Sequence, residues 1–276
     1  MFFVLDRKTL IRIGVIALAA ILLVLAIIFS TRAATQAANA NRVLPIYGVD
    51  TGDEKRIAIS FDAAWGDEKT AEILDILDQY NIKSTFFLVG FWVDKYPEKV
   101  QLIAERGHEI GNHSTTHPKM SQLSREQIYQ EIQTTSQKIK DLTGQTPTDF
   151  RPPYGDYNNQ LVETVRGMGM EAIQWSVDSL DWKSLGIQPM IDQVLNNVKP
   201  GSIVLFHNNS DYILDALPTI LQQLIAQGYT IVPVRELVLP QPYAIKPDGT
   251  QYAIQAAPSA SAPAITPQPS ASIAPN

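Results

Sequence analysis

Apolar residues recur along this chain in two rhythms, and their alternation sets out most of the fold. Short solid runs such as Ile57-Ala58-Ile59-Ser60-Phe61 read as buried strands. Between them lie stretches with apolar positions three and four apart, as in residues 67–79, where Ile73, Leu74 and Leu77 share a helix face. Thr85 to Val89 is the next strand, and a helix from Pro97 to Arg106 stops at Gly107. Glu109-Ile110 begins a short third strand. Ser124 then caps a long helix with Gln127 three residues on, the capping-box spacing, and this helix ends near Gly144. The same alternation continues as strand 148–150, helix 158–168, strand 172–176, helix 189–198, strand 202–206, helix 213–227 and strand 229–232.

About seven strand–helix units within residues 55–240 predict parallel strands with helical crossovers. Because the units are short, the expected fold class is α/β, a distorted or incomplete (β/α) barrel. An open doubly wound sheet is the alternative, but no Gly-rich phosphate turn follows the first strand. Two flanking regions break the rhythm. Ile13 to Phe29 carries no charge over 17 residues, with Arg7, Lys8 and Arg12 before it. That is enough to span a bilayer with the N-terminus in the cytoplasm and the body outside. Ala37-Ala38-Asn39-Ala40 keeps a cleaved signal open as the other reading. The expected domains are thus a cytoplasmic stub and anchor over 1–32, a linker over 33–54, the folded domain, and a disordered Pro/Ala/Ser-rich tail over 241–276.

Composition narrows the chemistry. The chain has 276 residues, 45% of them hydrophobic, which is ample for a core. A net charge of −6 with no basic cluster in the body argues against nucleic-acid binding. The absence of cysteine excludes disulfides and thiolate metal sites, so any metal must be held by His and Asp/Glu. Three of the four histidines fall in 107–118, and His113 and His117, four apart, can converge on one ion. A polar turn is the plainer reading of that pair alone. Its context changes the balance: Asp62, His113 and His117, Arg151 and Tyr154, Asp178, Asp181 and Trp182, and His207 all follow predicted strands. In a parallel barrel those ends share one face, where barrel enzymes build their sites.

In order, Ser60-Phe61-Asp62, His113-x-x-x-His117-Pro118, Arg151-Pro152-Pro153-Tyr154-Gly155, Asp178-x-x-Asp181-Trp182 and Leu205-Phe206-His207 resemble the five motifs of the polysaccharide deacetylases (carbohydrate esterase family 4, the NodB-homology domain). The resemblance covers about residues 55–238. The first motif, Phe61-Asp62-x-x-Trp65-Gly66-Asp67-Glu68, is most similar to sporulation-associated members from Gram-positive bacteria.

The resemblance implies a metal-dependent hydrolase releasing acetate from N-acetylated cell-wall sugars such as those of peptidoglycan. His113 and His117 would hold a divalent ion, zinc foremost, with cobalt or manganese as alternatives. Asp62 would be the general base, Arg151 its holder, and Asp178 would order Arg151. Tyr154 would contribute its backbone N–H to an oxyanion hole, Trp182 and Leu205 would line the acetyl pocket, and His207 would be the general acid. The implied partners are the wall glycan and, through the first helix, the membrane. One position departs from the family: Ala63 stands where a second aspartate normally ligates the metal. Water filling the vacancy in a weak site, Asp62 swinging onto the ion, and a metal-free glycan-binding protein all remain open, as does a barrel hydrolase acting on an ester or lactam. Asp67 lies in the same loop as a more distant carboxylate.

Overall fold

The computed structural model describes residues 7–40 and 42–254. The first helix, α1 (Arg7–Ala40), contains Arg7–Ser30, 24 residues of mean hydropathy 3.0, long and apolar enough to cross a membrane. Among the described residues eleven strands follow: β1 (Gly48–Val49), β2 (Arg56–Ala63), β3 (Thr85–Leu88), β4 (Glu109–Asn112), β5 (Asp149–Phe150), β6 (Glu171–Ala172), β7 (Val177–Asp178), β8 (Ile203–His207), β9 (Thr230–Val232), β10 (Tyr243–Ile245) and β11 (Thr250–Ala253). The connecting helices are α2 (Thr70–Gln79), α3 (Gly90–Lys95), α4 (Pro97–Glu105), α5 (Arg125–Thr143), α6 (Asn159–Gly167), α7 (Ile187–Leu195), α8 (Ile213–Ala226) and α9 (Val234–Leu237).

The main sheet is parallel and curled, with strand order β6-β5-β4-β3-β2-β8-β7, and β9 also pairs with β2. It is the distorted barrel that the alternation of elements predicts. Period two along β2 explains how it carries both core and chemistry. Ile57, Ile59 and Phe61 enter the large apolar cluster with α2, α4 and α8, while Ala58 belongs to the inner cluster with Phe87 and Ile203. Ser60 and Asp62 share the inward side with Ala58, so the barrel interior turns polar toward the C-terminal ends of the strands. In β8 the same alternation turns Val204 and Phe206 to the outer cluster and Ile203 to the inner one.

The expected strand 172–176 is divided. Its start is β6, paired with β5, and the chain then crosses to β7, paired with β8. These are the two edges of the sheet, and the gap between them is filled by the segment before β2: Ile46 N donates to Ala172 O and Gln174 N to Ile46 O, at 2.8 and 2.7 Å. An extended run bonded to a separate segment has the same local pattern as a strand, so periodicity alone does not reveal the break.

The flanking boundaries are corrected too. Residues expected as linker contain β1, and the tail expected from Gln241 first forms β10 and β11, which pair with β1 in a three-stranded sheet. Val49 N donates to Gly201 O at 2.9 Å, an approach that requires glycine because a Cβ at Gly201 would fall 1.6 Å from Val49 O. The remainder of the tail, 255–276, lies outside the described residues. The capping box is present as expected, with Ser124 Oγ accepting from Gln127 N and Gly144 closing α5 in a left-handed conformation.

Candidate active site

Arg151 is the centre of the site. It follows β5, whose ladder to β4 continues as Arg151 N donating to Asn112 O at 2.9 Å. The side chain then enters the barrel and is fully buried. Nη1 donates to Asp62 Oδ1 at 2.7 Å, and Nη2 to Ser60 Oγ at 2.9 Å and Gln174 O at 3.3 Å. The guanidinium lies over the Phe87 ring, 4.1 Å from its centroid. Phe87 can lie there because its neighbour in β4 is Gly111, where a Cβ would come within 2.4 Å of the ring. Burial pushes the Asp62 carboxyl up, but Arg151, with the facing imidazoles of His113 and His207, outweighs it and holds the carboxyl below its usual range. Asp62 is therefore ionised.

His113 follows β4. Its Nδ1 is 2.7 Å from Arg151 O, and since a carbonyl only accepts, that nitrogen carries the proton. Nε2 therefore keeps its lone pair, 3.4 Å from Asp62 Oδ2. His117 has a left-handed backbone, φ 58°, held by its N–H donating to Ser114 Oγ at 3.0 Å. Its ring lies edge-on to His113, Trp65 and Tyr154, with centroids 5.0, 5.0 and 4.5 Å away. Burial pushes the His117 imidazole down to about 4 and also lowers His113, so both are neutral, the form that binds metal.

The loop between the two histidines is clamped by Glu131 of α5, a residue that the sequence analysis did not single out. Its Oε2 accepts from the backbone N–H groups of Thr115 and Thr116, both at 2.8 Å, and its Oε1 from Thr116 Oγ1 at 2.8 Å. Nothing in the helical spacing of α5 distinguishes this carboxylate from a solvated one.

His207 ends β8 and is paired with Asp181. Nδ1 lies 2.8 Å from Asp181 Oδ1, and the backbone N of His207 donates to Asp181 Oδ2 at 2.7 Å. Burial pushes the imidazole down, but the Asp181 hydrogen bond and the charges of Asp181, Asp62 and Asp178 outweigh it, so protonation persists above the ordinary histidine range. Asp62 and His207 are thus shifted in opposite senses, Asp62 toward its bare form and His207 toward its protonated one.

Asp178 does not touch Arg151 as expected. Its Oδ1 accepts from Leu180 N at 2.8 Å, and its Oδ2 is 3.5 Å from Trp182 Nε1. Asp178 belongs to β7, the far edge strand, and the Arg151 Nη groups are already engaged by Asp62, Ser60 and Gln174, so it shapes the turn that carries Asp181 and Trp182 instead. Asp67 is turned away from the site, its carboxylate 3.8 Å from Lys99.

Asp62, His113, His117, Tyr154, Asp178, Trp182, Leu205 and His207 line one cavity of about 690 Å³, with Arg151 buried beneath it. Tyr154 has φ 59°, an uncommon backbone conformation for a residue with a side chain. The two neutral imidazoles fit a divalent ion: His117 Nδ1 is a buried nitrogen with no hydrogen-bond partner, and His113 Nε2 has its lone pair free. Ala63 ends β2 fully buried in the outer apolar cluster, and no group of three or more His, Asp or Glu with metal-holding geometry occurs among the described residues. Two imidazoles could hold such an ion, with the Asp62 carboxylate 3.4 Å from His113 Nε2.

The polysaccharide deacetylase family profile matches residues 49–173. The peptidoglycan-N-acetylglucosamine deacetylase PgdA of Listeria monocytogenes is 39% identical over 183 residues, covering 66% of this chain and 39% of that protein. The chain therefore spans well under half the length of that relative. A peptidoglycan-N-acetylglucosamine deacetylase of Bacillus cereus is 37% identical over 191 residues, 67% of this chain and 89% of that protein. Among solved structures, a CE4 family pseudoenzyme from Bacillus anthracis superposes with a TM-score of 0.68 at 33% identity, covering 75% of this chain and 69% of that one. A mutant of that pseudoenzyme with restored enzymatic activity matches with the same TM-score at 34% identity, over 75% and 72%. With five ordered motifs converging on one cavity and a relative matched over nearly its full length, the chain belongs to the polysaccharide deacetylase family.

Proposed function

We propose that this domain removes N-acetyl groups from a cell-wall polysaccharide such as peptidoglycan, held outside the membrane by α1. The observation that carries the reading is the opposite pairing of two groups on one cavity, Asp62 with the Arg151 guanidinium at 2.7 Å and His207 with the Asp181 carboxylate at 2.8 Å, which favours the ionised form of the first and the protonated form of the second. Amide hydrolysis needs that division, because one group must take a proton from water and another must give one to the leaving nitrogen. A divalent ion on His113 and His117, zinc foremost, would supply Lewis acidity to the acetyl carbonyl and acidify its bound water. Asp62 accepts the water proton, and Arg151 stabilises the carboxylate in the orientation that faces His113. His207 delivers its Nε2 proton to the amine, while Asp181 stabilises the imidazolium. The backbone N–H of Tyr154 serves the oxyanion, and Leu205 and Trp182 enclose the acetyl methyl. The Trp65-Gly66-Asp67-Glu68 loop supports placement among the sporulation-associated members.

The test is acetate release from peptidoglycan and chitooligosaccharides by the full chain in detergent, metal-stripped and then with zinc, cobalt or manganese restored. Metal-dependent release is expected, and its absence with every metal rejects the reading. A second reading rests on Ala63 and on the likeness to the pseudoenzyme: a glycan-binding protein with impaired catalysis on the same fold. It requires that replacing Asp62 or His207 leave the biological effect intact.

The pH profile gives a finer check. Because His207 must be protonated and its pKa is raised, activity falls as pH rises through that value. Asp181→Asn removes the charge that raises it, so the alkaline limb moves to lower pH, with kcat at neutral pH reduced about 10–100-fold. An unmoved alkaline limb in a kcat/KM profile would mean that another group supplies the proton.

A further inference from the structure

We propose that Trp65 and Phe91 form a second sugar-binding platform, which takes the sugar adjoining the one whose acetamido group enters the cavity. The inference rests on the glycan reading above and specifies that the ligand is a chain of at least two sugars. Trp65 is 57% exposed and Phe91 37%, and their ring centroids are 6.2 Å apart. Paired large rings left in water beside a polar cavity mark a ligand surface, since each retains apolar area that folding did not bury. The pair is too small for a protein partner, for which a specific interface buries about 1,200 Å² or more. A pyranose ring fits it better, with an apolar C–H face for the ring and hydroxyls left at the edge for water.

The platform is held rigidly although it is exposed. Trp65 packs edge-on against His117 with centroids 5.0 Å apart. The next residue, Gly66, accepts at its carbonyl from Trp92 Nε1 at 2.7 Å and from Asn208 Nδ2 at 2.9 Å, both donors on fully buried side chains. Gly66 itself has φ 69°, which suits glycine at this bend. A solvent-facing ring on a loop pinned from beneath is preorganised for contact, and little ordering entropy remains to be lost on binding.

Position sets its role. Trp65 lines the cavity and Phe91 lies beyond the lining, so the ring surface runs outward from the site across the ends of β2 and β3. Trp182, 57% exposed, stands past β8 at the end of β7. The strand order β3-β2-β8-β7 places His207 between the two aromatic surfaces. A single sugar seated at Trp182 and Leu205 leaves Trp65 and Phe91 uncovered, whereas a chain continuing toward β3 covers them.

The experiment is equilibrium binding of the N-acetylglucosamine tetramer and monomer to the full chain in detergent with chelator present, so that turnover does not consume the sugars. Trp65→Ala and Phe91→Ala are each expected to lower the tetramer-to-monomer affinity ratio about tenfold. Trp65→Tyr, which keeps a ring, restores most of the ratio. Trp182→Ala weakens both ligands and leaves the ratio near the wild-type value. An unchanged ratio in Trp65→Ala and Phe91→Ala, or a loss in Trp65→Tyr as large as in Trp65→Ala, overturns the platform while leaving the glycan reading standing. Failure of the wild-type protein to bind the tetramer overturns both.

Discussion

Arg151→Ala is expected to destabilise the domain by about 3–5 kcal/mol, because it leaves Asp62 as a buried carboxylate without its partner. Both groups are almost wholly shielded from solvent, and the pair is joined at 2.7 Å, so bulk water cannot substitute for the guanidinium. For a domain of this size the melting temperature should fall by roughly 10 °C. Linkage adds a second signature. Asp62 has a lowered folded-state pKa in the wild type, so its contribution is present above the ordinary carboxylate range and lost as pH falls toward the folded value. In the variant Asp62 can protonate at higher pH, so the stability gap between the two proteins narrows on acidification. The double variant Arg151→Met, Asp62→Leu should recover most of the stability and none of the activity, which separates the cost of an orphaned charge from the worth of the pair. Equal melting temperatures for wild type and Arg151→Ala, measured by calorimetry at neutral pH, would refute the account.

Ala63→Asp is expected to strengthen the dependence of this protein on metal. Ala63 is fully buried among apolar side chains, so a carboxylate there costs several kcal/mol in metal-free protein. Zinc relieves that cost if it draws the new carboxylate into the coordination of His113 and His117, completing the three protein ligands usual in catalytic zinc sites. The expected result is a lower melting temperature in chelator than the wild type, a rise on adding zinc much larger than the wild type shows, and a zinc affinity at least about tenfold tighter. Acetate release should increase in parallel. A variant whose melting temperature ignores zinc would show that position 63 cannot reach the ion from the end of β2, and the missing ligand would have to be sought elsewhere.

The legible parts of this chain are those in which one side chain acts on its own neighbourhood. Alternation along residues 57–61 gives strand β2 and its inward face, and Ser124 with Gln127 starts α5 by a bond between residues three apart. The chemical groups themselves, Asp62, His113, His117, Arg151 and His207, are also apparent because each lies at or shortly beyond the C-terminal end of a strand, and parallel strands share that end. Pairings across the barrel are different. That Asp181 and not Asp178 pairs with His207 depends on β7 and β8 being neighbours, which brings the residue three beyond β7 onto His207. Glu131 meets the histidine loop only because α5 packs beside β4, and no periodicity in α5 announces it.

By its residues alone, then, this chain determined a parallel α/β fold, an apolar N-terminal helix, and a set of acid, base and imidazole groups gathered at one end of the strands. These follow from local propensity and from the two-residue and 3.6-residue periods, which need no knowledge of distant partners. Tertiary structure decided the rest. It opened the barrel between β6 and β7, filled the gap with Ile46, recruited β1, β10 and β11 into the domain, buried Arg151 against Asp62, and set the charge of His207 through Asp181. Those outcomes depend on distances between segments tens of residues apart, where desolvation and charge are settled by what the fold brings into contact.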